Sequence, residues 1–105
     1  MSRLIQIEIA CADADEAQRI ANALVSERLA ACVQLTPMTS IYHWDGQIET
    51  SPEIRLSVKT VAKKMEAIEA RVKTLHSYDV PQITATEIVA ASAEYANWVR
   101  DETDG

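Results

Sequence analysis

Glycine and basic residues are scarce in this sequence. Its 105 residues include two glycines, and 10 lysine and arginine residues stand against 16 aspartate and glutamate residues, which gives a net charge of −6. A loop that cradles phosphate with backbone N–H groups usually needs several glycines. Nucleic acids and anionic membrane surfaces require a basic face on the protein. We therefore expect neither nucleic acid nor a membrane among the partners of this chain.

The sequence also has few cysteines and no long apolar run. It lacks a charged start followed by an apolar core and a cleavage site, and no stretch is long enough to span a bilayer. These features predict a cytoplasmic location. Because cytoplasmic thiols are kept reduced, we expect Cys11 and Cys32 to be free. The length of the chain fits a single domain, 1–105, with one buried core.

The strongest local signal is a hairpin centred on Asp45 and Gly46. These residues lie between two apolar and aromatic runs in the stretch Ser40-Ile-Tyr-His-Trp-Asp-Gly-Gln-Ile-Glu49, and an Asp-Gly pair favours a two-residue hairpin turn. With this turn, His43 lies opposite Ile48, and one face of the hairpin is largely apolar. The register is well determined, because a slip of one residue would exchange the two faces.

The arms of this hairpin are too long to lie entirely on the body of one domain. The arm 31–44 would extend about 45 Å at about 3.3 Å per residue, whereas a domain of this size has a radius of gyration of roughly 13 Å. The tip therefore overhangs, and an isolated two-stranded ribbon is only marginally stable in water. We predict that the tip packs on a neighbouring subunit through Tyr42, His43, Trp44 and Ile48.

The rest of the chain alternates between strand and helix patterns. Apolar residues alternate strictly from Leu4 to Cys11, and apolar residues at helical spacing follow Asp13 and, later, Val61. Ser92 can cap a last short helix. The predicted elements are strand 4–11, helix 13–28, strands 31–44 and 47–60, helix 61–76, strand 82–90 with an irregularity near residue 87 that suggests a bulge, and a last helix with a frayed tail at 101–105.

This order, βαββαβ with an added C-terminal helix, predicts an α+β, ferredoxin-like sandwich with a long hairpin between its second and third strands. Both main helices would cover one face of a four-stranded antiparallel sheet. The other face would carry mostly polar side chains and stay open. An open face together with an overhanging ribbon favours packing between several copies of the chain, and a cyclic trimer fits this arrangement.

Several stretches of the chain, taken together, resemble one protein family. They are the hairpin stretch quoted above, Glu27-Arg-Leu-Ala-Ala-Cys-Val33, Val58-Lys-Thr60, Leu75-His-Ser-Tyr-Asp-Val-Pro-Gln-Ile83 and Tyr95-Ala-Asn-Trp-Val99. In this order they are similar to the CutA family of divalent-cation tolerance proteins. The resemblance implies a tight homotrimer of ferredoxin-like subunits, PII-like in architecture, that takes part in the response to copper and other divalent metal ions.

The resemblance also implies a metal site. Cys11 and His76 occupy positions similar to those proposed as copper ligands in bacterial members of the family, and a thiolate with an imidazole suits copper or another borderline metal ion. Two structural interpretations stay open, and they are the simpler ones. Cys11 also fits a small buried residue on the apolar face of its strand, and His76 fits a residue that interacts with the end of a helix dipole.

Three acidic residues, Asp13, Asp15 and Glu16, precede the first helix pattern. A calcium-binding loop would need glycine at its sixth position and glutamate at its twelfth, and these positions hold Gln18 and Leu24. We attribute the three acids to capping of the helix N-terminus.

A second candidate site is a polar cleft between subunits. Fold-level analogy with similarly built trimeric sensors predicts a lining of Lys59, Arg55, Glu53, Tyr78 and Glu87. The alternative function is therefore a PII-like small-molecule sensor or a protein-interaction scaffold that uses these clefts. The sequence contains no nucleophile elbow, phosphate loop or metalloprotease motif, so we expect no enzymatic activity.

Overall fold

The computed structural model of the protein describes residues 2–103. Its strands form one antiparallel sheet in the order β2-β3-β1-β4. The strands are β1 (Leu4–Cys11), β2 (Cys32–Trp44), β3 (Gln47–Val61) and β4 (Ile83–Glu87), and the helices are α1 (Ala14–Ser26), α2 (Met65–Leu75) and α3 (Ala93–Thr103). The predicted α+β, ferredoxin-like arrangement is confirmed. In the part of the chain described, no helix is long and apolar enough to cross a membrane.

The hairpin of β2 and β3 has the predicted register along its whole length, from Cys32 opposite Lys59 to Trp44 opposite Gln47. Asp45 and Gly46 both have positive φ angles, 51° and 76°. Two positive φ angles in a two-residue loop define a type I′ turn, whose twist matches that of the flanking strands. The long axis of the molecule measures 45 Å, and the hairpin extends beyond the body of the domain as expected.

Aliphatic side chains fill the main core between the sheet and the two helices α1 and α2. The residues of β1 alternate as predicted, so that Ile7 and Ile9 have no exposed surface while Gln6 and Glu8, on the other face of the strand, are partly exposed. Ile7 and Ile9 pack in one cluster with buried residues of β3 and of both helices. These are Leu56, Val58, Ile20, Leu24, Ile68 and Val72.

Helix α3 covers one end of the opposite sheet face. Leu4 and Val61 are paired across β1 and β3 and point to that face, because side chains alternate along a strand. Together with Ala31 they enclose Val99 of α3, which has no exposed surface. The second face is therefore open only in part, over the region that carries the predicted polar side chains.

No aromatic ring belongs to either buried cluster within residues 2–103. The sequence has no phenylalanine, two tryptophans and three tyrosines. All five aromatic residues are at least one-third exposed, and Trp44 at the hairpin tip is 61% exposed. The core of the single chain is therefore aliphatic, and its aromatic residues lie on the surface.

Helix α1 ends with a non-glycine residue in the left-handed region. Arg28 has φ = 58°, the N–H of Leu29 donates to the carbonyl of Leu24, and the N–H of Arg28 donates to the carbonyl of Val25. These two bonds define a Schellman motif, in which glycine usually occupies the position of Arg28. The Arg28 guanidinium in turn bonds the carbonyl and the carboxylate of Glu102 at the end of α3.

Two predictions about the C-terminal part were wrong. The strand β4 ends at Glu87, and its register with β1 is continuous from Ile9–Ile83 to Ile5–Glu87, so no bulge is present there. The predicted frayed tail is helical as far as Thr103, whose hydroxyl donates to the carbonyl of Val99 at 2.8 Å and which is 1% exposed. Residues 104–105 of that predicted tail lie outside the described part.

Candidate metal centre

Three side chains with metal-ligating atoms meet at one end of the sheet. Cys11 is the last residue of β1, Glu16 lies in the first turn of α1, and His76 is the C-cap of α2. One ligand atom from each lies within 4.8 Å of the other two. The structure therefore brings together the two predicted ligands, Cys11 and His76, and adds Glu16, for which the sequence predicts helix capping alone.

Helix α1 is capped by Asp13, and Glu16 bonds groups outside the helix through its carboxylate. Its own N–H donates to the Asp13 carboxylate, and its two oxygens accept the N–H groups of Ala12 at 2.8 Å and Ser77 at 2.6 Å. The bond from the Glu16 N–H to Asp13 and the bond from the Ala12 N–H to Glu16 together form a variant of the capping box. Burial would raise the pKa of this carboxyl, but the two N–H groups and the nearby His76 lower the pKa below its ordinary value. Glu16 is therefore a buried carboxylate at neutral pH.

Both ring nitrogens of His76 are hydrogen-bonded. Nδ1 accepts the backbone N–H of Tyr78 at 3.0 Å, so the ring proton lies on Nε2, which donates to the carbonyl of Ala10 at 2.7 Å. Nδ1 also lies 3.8 Å from an oxygen of Glu16, and the His76 side chain has no exposed surface. Neither of these two bonds is to the carbonyl end of α2, so the interaction of His76 with the helix dipole stays a prediction. A metal ion at His76 would have to compete with a backbone hydrogen bond.

The thiol of Cys11 is protonated at neutral pH. Burial raises its pKa to about 12, and the negative charges of Glu16, Glu53 and Asp13 add to this effect. A metal ion would have to displace the thiol proton, as it does at cysteine ligands in general. The donor set of one sulfur, one imidazole nitrogen and one carboxylate oxygen fits a soft or borderline ion such as copper or zinc.

A cleft of about 740 Å³ lies next to this cluster, beneath the overhanging hairpin. Tyr78 and Glu53 meet in it: the Tyr78 hydroxyl donates to the Glu53 carboxylate at 2.8 Å, and Glu53 is 8% exposed. Burial and the Glu53 charge both raise the pKa of Tyr78. Other residues that line the cleft include Tyr42, Trp44, Asp79 and Gln82.

The remaining predicted cleft residues lie elsewhere in the single chain. Lys59 donates to Gln34 on the open sheet face. Glu87 forms an ion pair with Arg3 and lies opposite Ile5, at the far end of β1 from Cys11. A cleft formed between subunits from all five residues stays a prediction.

The side chain of Arg55 carries a buried polar atom without a partner. Its Nε has no hydrogen-bond acceptor within residues 2–103. Arg55 lies between Ala10 and Thr36 in the sheet. Because buried polar groups are nearly always paired with a protein group or with ordered water, this nitrogen has a hydrogen bond to offer to water, to a ligand or to a second chain.

The hairpin tip is exposed in the single chain. Ile48 is 71% exposed, and His43 beside it is exposed as well. The hydroxyl of Tyr42 hydrogen-bonds Ser51 across the hairpin at 3.1 Å. A contact of these residues with a second subunit stays a prediction.

Comparison with known proteins gives one consistent result. The family model described as CutA1 divalent ion tolerance protein matches residues 5–102. The chain is 47% identical over 88 residues to a Thermus thermophilus protein named divalent-cation tolerance protein CutA, covering 83% of this chain and 85% of that protein. It is 39% identical over 97 residues to the Archaeoglobus fulgidus protein of the same name, covering 92% and 94%. The crystal structure of CutA from Xylella fastidiosa matches with a TM-score of 0.95 at 39% identity, covering 98% of this chain and 100% of that one.

Proposed function

The chain belongs to the CutA1 family of divalent ion tolerance proteins, and from this premise we propose that it acts in the response to metal ions by binding copper at Cys11, Glu16 and His76. The observation that carries the proposal is the convergence of three ligand atoms within 4.8 Å of one another. Thiolate and imidazole ligands together suit Cu(I), the form of copper in a reducing compartment. The cytoplasm, predicted from the sequence, is such a compartment.

The three residues contribute in different ways. Glu16 is ionised before any metal ion arrives, because two backbone N–H groups hold its negative charge. Cys11 has to lose its proton, and His76 has to give up the hydrogen bond to the N–H of Tyr78 or the one to the carbonyl of Ala10. The site therefore binds metal at the expense of a closed hydrogen-bond network, which favours ions with strong affinity for sulfur and nitrogen.

A copper titration tests this proposal. The reduced, metal-stripped protein is titrated with Cu(I) in competition with a chelator of known affinity, alongside Cys11→Ser and His76→Ala. Cys32→Ser is the matched control, because it removes the other thiol from outside the cluster. We expect a sub-micromolar site in the parent and in Cys32→Ser that is lost in the other two variants. Equally weak binding by all four proteins would contradict the assignment.

We further propose that the functional form is a homotrimer joined through the hairpins. Trp44 and Ile48 expose large apolar surfaces at the tip, and exposed apolar patches of this kind favour subunit contacts. A trimer that buries the ribbon should have an interface above about 2,000 Å², as obligate assemblies do. Light scattering at micromolar concentration should give three times the chain mass of 11.6 kDa. A folded monomer under these conditions would contradict the trimer.

The unpaired Nε of Arg55 supports a second candidate function. With Lys59 on the same sheet face, it suits an anionic group supplied by a small molecule or by a protein partner in a cleft between subunits. Thermal-shift screening of carboxylates and phosphates against the parent and Arg55→Leu tests this function. A ligand that stabilises the parent and not the variant supports it, and a screen without any stabilising anion counts against it.

A further inference from the structure

Tyr78 connects the metal cluster to the cleft beneath the hairpin. Its backbone N–H donates to Nδ1 of His76, and its hydroxyl donates to the carboxylate of Glu53. Its ring also packs on the His76 ring, with 4.7 Å between the ring centroids. One residue thus contacts a proposed metal ligand through its backbone and ring, and a buried carboxylate of the cleft through its hydroxyl.

The chemistry of imidazole determines what a metal ion does to this contact. A neutral imidazole has one nitrogen that accepts and one that donates. A metal ion on Nδ1 uses the lone pair that now accepts the Tyr78 N–H. A metal ion on Nε2 leaves the ring proton on Nδ1, which then donates and no longer accepts. In both cases the N–H of Tyr78 loses its acceptor.

We infer that metal binding at His76 releases Tyr78 and thereby changes the cleft, so that the two sites are thermodynamically coupled. This inference rests on the proposed metal function of the cluster. Loss of the N–H acceptor frees the backbone at Tyr78, and the accompanying shift of the His76 ring removes the ring contact. The hydroxyl bond to Glu53 holds Tyr78 in the arrangement without metal, so it opposes metal binding. A ligand of the cleft that favours the released position of Tyr78 would strengthen metal binding, because coupling between two sites is reciprocal.

Removal of the Tyr78 hydroxyl tests the coupling. Cu(I) affinity is measured by chelator competition for the parent, Tyr78→Phe and Tyr95→Phe. Tyr95→Phe is the matched control, since it removes a tyrosine hydroxyl from α3, where Tyr95 packs beside Trp98 and lines neither the cleft nor the cluster. We expect Tyr78→Phe to bind Cu(I) about tenfold more tightly than the parent, from the usual strength of a hydrogen bond to a charged group, and Tyr95→Phe to match the parent. Unchanged or weaker binding by Tyr78→Phe would overturn the inference.

Amide hydrogen exchange gives a second, direct measurement. Cu(I) is diamagnetic, so exchange of individual N–H groups can be followed by NMR in the free and Cu(I)-bound protein. Exchange of the Tyr78 N–H should accelerate when Cu(I) binds. The N–H of Ala62, which bonds the carbonyl of Arg3 at 2.8 Å far from the cluster, serves as the internal control. Slower or unchanged exchange at Tyr78 in the bound protein would overturn the coupling.

The two experiments separate this inference from the function on which it rests. If the parent binds no Cu(I), or if Cys11→Ser binds as the parent does, the metal function and the coupling are both overturned. If Cys11→Ser loses binding while Tyr78→Phe binds as the parent does, the metal function stands and the coupling alone is overturned.

Discussion

The carboxylate of Glu16 lies 2.6 Å from the backbone nitrogen of Ser77, its neighbour in space at a separation of 61 residues in sequence. Through this bond the start of α1 holds the segment that follows α2. The same carboxylate also holds Ala12 at the end of β1. One buried charge thus fixes the relative positions of the elements that supply Cys11 and His76.

Glu16→Gln should therefore destabilise the protein. The amide leaves one backbone N–H opposite an NH₂ group and removes the charge that strengthens the other bond, at a cost of about 1–3 kcal/mol in the free energy of unfolding. Because the pKa of Glu16 is lowered in the folded protein, its contribution is complete above the ordinary glutamate pKa and is lost as the pH falls through the folded value.

Urea unfolding of the parent and Glu16→Gln at neutral and at strongly acidic pH measures this effect. The difference in the free energy of unfolding between the two proteins should become smaller in acid. Asp15→Asn is the control, because it removes an exposed acid from the same helical turn. A difference in the free energy of unfolding that is constant with pH would show that the charge of Glu16 does not contribute to stability.

Because of the Cys11 thiol, we expect the free energy of unfolding to depend on pH in the alkaline range. The pKa of this thiol is raised from 9.0 to about 12 in the folded protein, so between these values the folded state keeps a proton that the unfolded state loses. Stability from Cys11 is then fully present below pH 9 and declines by up to about 1.4 kcal/mol per pH unit above it. Cys11→Ala lacks this decline.

Urea unfolding of the parent and Cys11→Ala from pH 7 to 11 provides the measurement. The difference in stability between the two proteins should be constant to pH 9 and then shift steadily against the parent. Parallel curves over the whole range would rule out a strongly raised thiol pKa.

Arg28 allows backbone strain to be separated from side-chain contacts. Arg28→Gly and Arg28→Ala both lose the exposed pair with Glu102, which contributes little on its own. Only glycine adopts the φ of 58° without cost, so Arg28→Ala should be about 1 kcal/mol less stable than Arg28→Gly. Urea unfolding of the two variants gives the difference, and equal stability would mean that the turn relaxes to a negative φ.

A polar substitution at the hairpin tip should weaken association of the chains. Ile48→Ser removes an apolar side chain that is 71% exposed in the single chain, and we expect it to weaken the proposed trimer by at least tenfold. Val25→Ser makes a similar change on α1, away from the hairpin, and should leave association unchanged. Sedimentation over a concentration series measures both, and equal behaviour of the two variants would move the interface away from the tip.

The sequence predicts best the parts that depend on local pattern. Strict alternation from Leu4 to Cys11 and the Asp45-Gly46 turn were sufficient for β1 and for the register of β2 with β3. The length of β4 was overestimated, because apolar residues continue to Val89, which is 88% exposed. The strand stops where its partner stops: β1 begins at Leu4, whose carbonyl accepts the N–H of Ile88. That limit depends on the neighbouring strand and is not visible locally.

The metal centre also has one part that the sequence indicates and one part that depends on long-range packing. Cys11 and His76 were indicated by the family resemblance, whereas Glu16 was missed because a local explanation, helix capping, was already sufficient for it. The Asp13-x-x-Glu16 spacing was a correct signal for the cap. It contains no information about Ser77 or His76, which reach Glu16 only through packing of α2 beside α1.

The surface position of the aromatic residues determines what optical spectroscopy can report. Trp44 lies at the hairpin tip and Trp98 on α3, next to Tyr95, and the aliphatic core contains no fluorophore. Intrinsic emission is therefore sensitive to the solvent around two surface sites and insensitive to packing of the core. A blue shift of the emission with rising protein concentration would report association of chains at Trp44, and denaturation of the core itself is better followed by far-UV circular dichroism.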